Sequence, residues 1–190
     1  MPKIIADEDI YKAVLHVVAE RGFAGATTKQ MAEAANVSEP TLFRKYENKM
    51  QLVKQAIGSV IALTDFEAAT RHTGDVFADL LRVVQAYQDS AVKHGQFIFI
   101  LLSEMPRYPE LVDLLDTPFE IFTGIGKLIR IYQSDGLLRE EHPMHAAAAL
   151  LGPLMFTAMQ RGALPGHDVP PLDLESHVTL FLDGRCGDKT

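Results

Sequence analysis

The sequence has no tryptophan and a single cysteine, Cys186. One thiol cannot build an intramolecular disulfide framework, so the fold must rest on packing, and a reducing cytoplasm is the expected compartment. Long hydrophobic runs are missing too. The most apolar stretches, such as Phe97 to Leu102, fall far short of the ~20 residues that a membrane-crossing helix needs, so no membrane partner is expected. The sequence begins Met1-Pro2-Lys3 and then turns acidic at Asp7-Glu8-Asp9, unlike the basic-then-apolar order of a secretory signal. There is no glycine-rich phosphate loop, no serine elbow and no reactive-cysteine motif, so neither an enzyme nor a cofactor is expected. His142, His145 and His167 lie near Glu140 and Glu141, but they flank Pro143 in a loop and lack the helical spacing of a zinc site. No metal is expected there.

Positive charge is also scarce. The net charge is −7, which at first argues against nucleic acid. The distribution matters more than the total. Residues 1–56 hold eight basic and seven acidic side chains, whereas residues 57–190 hold ten and eighteen. Lys29, Arg44, Lys45, Lys49 and Lys54 cluster in the first part.

What is abundant is helical periodicity; strand-like alternation is weak throughout. Hydrophobic residues make up 47% of the chain, enough for a real core. Ile10, Val14, Val17 and Val18 share one face of a first helix that should stop near Gly22. Thr27 or Thr28 caps a short helix over 29–35, Ser38 caps one carrying Thr41 to Tyr46 with Pro40 in its first turn, and Asn48 caps another from Lys49. Longer segments follow at 76–93, 96–105, 111–134, 144–161 and 172–182; Pro106 and Pro109 mark a break, and Pro118 or Gly124 and Gly126 are candidate interruptions of 111–134. The expected fold is all-α, with about nine helices. Residues 1–50 form a three-helix head joined by a connecting helix at about 48–64 to a larger helical bundle over 65–190.

The informative stretch runs from Thr27 to Tyr46. Two short helices meet across a tight turn, small residues (Ala32, Ala34, Ala35) let them approach, and Val37 and Leu42 fill the angle. Such a helix-turn-helix presents the N-terminal residues of its second helix to a major groove, roughly 12 Å wide. Thr27-Thr28, Ala32, Val37-Ser38, Thr41-Leu42-Phe43, Tyr46, Asn48-Lys49 and Leu52, with Gly22-Phe23 before them, resemble the DNA-binding head of TetR-family regulators. The resemblance covers about residues 8–60; beyond them only the layout matches. It implies that Glu39, Pro40, Thr41, Phe43 and Arg44 lie on or near the groove face. Arg44 would fork onto a guanine and Glu39 would accept from a cytosine amino group. Thr28, Lys29, Lys45, Tyr46 and Lys49 are placed for phosphates. Phe43 and Tyr46 are equally readable as braces of the head, and Leu42 as core.

The resemblance further implies a ligand-responsive repressor. It would bind a palindromic double-stranded operator as a homodimer through its last two long helices and be released by a small hydrophobic effector. Candidate effector contacts are Tyr87, Phe97, Leu101, Met105, Phe119, Phe122, Met155, Phe156 and Met159. The rival reading is a helical effector-binding or protein-interaction module without specific DNA binding.

Overall fold

The computed structural model describes residues 6–62, 66–163 and 170–185, with side chains for all of these except 60–62, 92–99 and 161–163. Every regular element among them is helical. The all-α expectation therefore holds. Cys186 and His167 lie outside the described residues.

Helix α1 (Asp7–Gly25) buries Ile10, Val14, Leu15, Val17 and Val18. Gly22 takes φ +71° and interrupts its helical geometry, the stop expected there; a side chain would be strained in this left-handed region. Helices α2 (Thr28–Ala34), α3 (Glu39–Lys45) and α4 (Lys49–Ala62) follow. A short α5 (Phe66–Ala69), not foreseen from the sequence, buries Phe66 and Ala69.

Two segments depart from expectation. Residues 76–93 and 96–105 form one continuous helix, α6 (Val76–Glu104, 29 residues), since Gly95 alone costs only about 1 kcal/mol inside a helix. Conversely, the single helix expected over 111–134 is divided into a 3-10 turn, Pro109–Leu114, and α7 (Asp116–Ser134). Pro118 lies in the first turn of α7, where its missing N–H is harmless. Gly124 and Gly126 do not interrupt α7. A Cβ on Gly126 would lie 3.3 Å from Met144 Sδ, so that glycine permits close approach of the start of α8 (Pro143–Ala163). Helix α9 (Leu174–Asp183) begins after Asp173, whose carboxylate accepts from the N–H groups of Glu175 and Ser176.

The chain forms two compact units. The first comprises residues 1–63 and 96–117. Its core joins α1 to α4 (Val14, Val18, Met31, Leu42, Leu52, Val53) with Leu101, Leu111 and Leu114. The second comprises 64–95 and 118–190. Its core joins Leu80, Val83 and Val84 with Ile125, Leu128 and Ile129 of α7, Leu150, Leu151 and Leu154 of α8, and Val178 and Phe181 of α9.

The second unit also buries one carboxylate completely, Asp79. It accepts from Thr73 N–H (2.7 Å), Thr73 Oγ1 (2.6 Å), Tyr132 Oη (2.5 Å) and Arg82 Nη2 (2.8 Å). Burial pushes its pKa up, but these donors outweigh that and hold it at about 2. Burial, and then the Asp79 charge, raise the Tyr132 phenol above its ordinary value.

Candidate nucleic-acid interface

Each helix of the helix-turn-helix is set by a local polar device. Thr27 Oγ1 accepts from Gln30 N–H (3.2 Å) while Gln30 Oε1 accepts from Thr27 N–H (3.0 Å), a reciprocal capping box. Thr27, rather than Thr28, is thus the cap. The turn passes through Asn36 at φ 54°, a left-handed conformation that asparagine tolerates. Ser38 Oγ then accepts from Thr41 N–H (3.3 Å) and lies 2.7 Å from Thr41 Oγ1. Asn48 Oδ1 accepts from Gln51 N–H (2.9 Å) and opens α4. Leu42 is buried, as expected, so α3 is fixed by its cap and by this one apolar anchor.

The residues expected at DNA fall into three groups. Lys29, Pro40, Phe43 and Arg44 are exposed, and none of their side chains has a polar partner among the described residues. Phe43 is 48% exposed, unusual for an aromatic without a partner surface. A second group is tied within the head. Thr28 Oγ1 donates to Glu39 Oε1 (2.6 Å), and Thr41 pairs with Ser38. Lys45 forms an ion pair with Asp7, and its ammonium lies 5.7 Å from the Tyr46 ring centre. Lys49 donates to the Phe23 carbonyl with its ammonium 4.3 Å from the Phe23 ring centre; burial lowers its pKa and the nearby Glu104 opposes this. Tyr46 stands alone. It is 2% exposed, packs edge-on to Tyr11 at 5.9 Å, and its buried hydroxyl has no partner at hydrogen-bond distance among the described residues. In this conformation Tyr46 braces the head and offers no surface to a phosphate.

Three residues that sequence reasoning missed complete the geometry. Asp7 partners Lys45 from 38 residues away. Glu104, the last residue of α6, accepts from Phe23 N–H (2.5 Å) and its carboxylate occupies the space a side chain on Gly22 would need. Asp116 pairs with Lys54 at 2.7 Å and raises the lysine pKa. Only the solitary acid ending the apolar 96–105 segment was a signal available from sequence.

The candidate effector residues are divided between the two units. Leu101 is fully buried in the first unit's core, and Met105 packs beside it. Tyr87 and Phe122 meet edge-on at 6.3 Å in the second unit, where burial raises the tyrosine pKa. Phe119, Met155 and Phe156 are exposed at 63%, 44% and 54%, and Met159 is half-buried. The side chain of Phe97 lies outside the described residues. A shallow recess of about 460 Å³ is lined instead by polar groups, Arg130, Gln133, Ser134, Glu140 and Glu141 with Pro143. Beside it the His142 and His145 rings lie 5.1 Å apart. Among the described residues no three histidine, cysteine or acidic side chains are grouped to hold a metal, and no helix is long and apolar enough to cross a membrane.

Comparison with known proteins places this geometry in context. Residues 10–56 match the family described as bacterial regulatory proteins, tetR family. YvkB of Bacillus subtilis (strain 168), an uncharacterised HTH-type transcriptional regulator, is 28% identical over 111 residues, 55% of this chain and 54% of its own. The chain spans about half the length of the curated relatives it matches. Two solved structures resemble nearly the whole chain. The fatty acid degradation regulator FadR from Bacillus halodurans gives a TM-score of 0.70 at 17% identity, covering 96% of this chain and 95% of that one. The flavonoid-responsive regulator FrrA gives 0.67 at 19%, covering 97% and 98%. At such identities the likeness is one of fold.

Proposed function

We propose that this chain, whose residues 10–56 match the tetR family of bacterial regulatory proteins and whose fold resembles that of solved regulators, is a cytoplasmic repressor that binds a palindromic operator as a homodimer and leaves it when a small hydrophobic effector binds. The observation that carries the DNA half of this reading is α3 itself. It is capped by Ser38 and anchored by Leu42, yet it presents Pro40, Phe43 and Arg44 with no polar partner among the described residues. A guanidinium left free on such a helix can donate two parallel bonds to a guanine edge, and an exposed aromatic ring can meet a thymine methyl. Lys29 supplies charge for the phosphates alongside. With a nearly neutral head, affinity comes from two copies on half-sites roughly 34–36 Å apart, or somewhat more.

The pairing surface is supported by α8 and α9. Met155 and Phe156 on the first and Leu180 (71% exposed) on the second leave an apolar face that a monomer would show to water. Two copies of this helix pair would cover it in a four-helix arrangement. The effector would act in the second unit, near the Tyr87–Phe122 contact. The names of the fatty acid and flavonoid regulators fit an apolar ligand of this kind. Helix α6 contributes residues to both units, and a ligand that favours one position of it would shift the population away from the DNA-competent state.

Binding selection with the purified protein tests the whole reading. The expected product is a short inverted repeat, bound by a dimer. Arg44→Ala should weaken it by about 1–3 kcal/mol, roughly 5- to 150-fold, and a fatty acid or a flavonoid should release it. Recovery of no sequence at any salt concentration would favour the interaction module instead.

A further inference from the structure

The first residues of α2 and α3, Thr28 and Glu39, are joined to each other. The Thr28 hydroxyl donates to Glu39 Oε1 at 2.6 Å, across eleven residues of sequence and over the turn between the helices. A threonine hydroxyl has one hydrogen to give. While it is given to a carboxylate it cannot also be given to a phosphate, the partner the sequence suggested for Thr28. Both residues are half-buried, so the bond is only partly open to water. Glu39 is held by one oxygen and keeps the other, Oε2, without a partner among the described residues.

We propose that Thr28 is a positioning residue that fixes the Glu39 carboxylate at the groove-facing start of α3, where it selects for a base carrying an amino group. An ionised carboxylate only accepts. In the major groove the amino donors are those of cytosine N4 and adenine N6, whereas guanine O6 and thymine O4 present acceptors that would face it unpaired. A freely rotating glutamate could turn away from the wrong base at little cost. One pinned by Thr28 cannot, and discrimination follows from that restraint. This inference rests on the DNA-binding reading above.

The test uses the full-length protein and its selected operator, with all four base pairs placed in turn at each half-site position. Wild type should prefer an amino-bearing base at one position by about tenfold, within the range of a good base contact. Thr28→Val keeps the shape and removes the hydroxyl. It should flatten the preference at that position to about threefold or less, with other positions and the slope of affinity against salt unchanged. Thr28→Ser should restore it. Glu39→Ala should abolish the preference, and Thr28→Val should then add nothing. The inference is overturned if Thr28→Val weakens all sequences equally and lowers the salt slope by about one phosphate contact, or if Glu39→Ala leaves the preference intact. If wild type selects no sequence, the DNA-binding reading itself has failed, an outcome distinct from either.

Discussion

In the first unit the two helices of the helix-turn-helix are short and held at their ends, whereas in the second the helices are long and held along their flanks. Helices α2 and α3 have seven residues each, and α7 and α8 have 19 and 21. A seven-residue helix is unstable by itself in water, so its geometry depends on caps and on a few apolar anchors. Thr27, Ser38 and Asn48 supply the caps. The anchors include leucines from residues 101–114. In the second unit a continuous apolar face does that work. There Asp79, the one buried charge among the described residues, is enclosed by four donated hydrogen bonds, while the first unit's Lys45–Asp7 pair remains about half exposed. The first unit keeps this pair of charges near water, and the second neutralises its buried charge inside.

The largest expected effect tests whether the first unit really depends on the later segment. Leu111→Ala should cost about 2–5 kcal/mol. Hydrogen exchange should quicken in α1 and α4 and leave α8 and α9 protected; uniform loss of protection would merge the two units into one. Next comes acid. The pKa of Asp79 is depressed on folding, so its stabilisation is complete above the ordinary value of 3.8 and is lost as pH falls from there toward about 2. That loss should amount to about 2 kcal/mol. Probes in the second unit should therefore register this transition, and Asp79→Asn should remove it from the titration. A smaller effect is expected from Thr27→Ala, which breaks the capping box and should cost about 1 kcal/mol, read as a lower melting temperature. The smallest concerns Asp7→Asn. Stability should change by less than about 0.5 kcal/mol, as for an exposed ion pair, while the freed Lys45 should steepen the salt dependence of DNA binding by about one contact. An unchanged slope would show that Lys45 stays clear of the phosphates.

The same contrast explains what could be read from sequence. Caps are local, and Thr27 with Gln30, Ser38 with Thr41 and Asn48 with Gln51 all lie three residues apart. The head was legible for that reason, down to the stop at Gly22. Periodicity located the long helices but not their joints. The gap between 76–93 and 96–105 is helical, whereas the break marked by Pro106 and Pro109 is real and runs on as a 3-10 turn over Pro109–Leu114. Long-range pairings had no local signature. Nothing in the sequence tied Asp7 to Lys45, or Asp79 to Tyr132 across 53 residues. Apolar character alone marks the candidate effector residues, and it does not distinguish a core leucine such as Leu101 from a pocket wall. In α3 the chemistry of Glu39 was visible, but its tether to Thr28 needed coordinates.

The Phe23 amide bonds to a carboxylate 81 residues further along the chain, and Leu111 and Leu114 close the core of the first unit. During synthesis the four N-terminal helices are therefore made well before their core can be closed. At roughly 5–20 residues per second the interval between residue 62 and residue 114 lasts on the order of three to ten seconds. Through that interval an apolar face of the nascent head stays bare and open to wrong partners, and the helix-turn-helix reaches its final support only after α6 has been made.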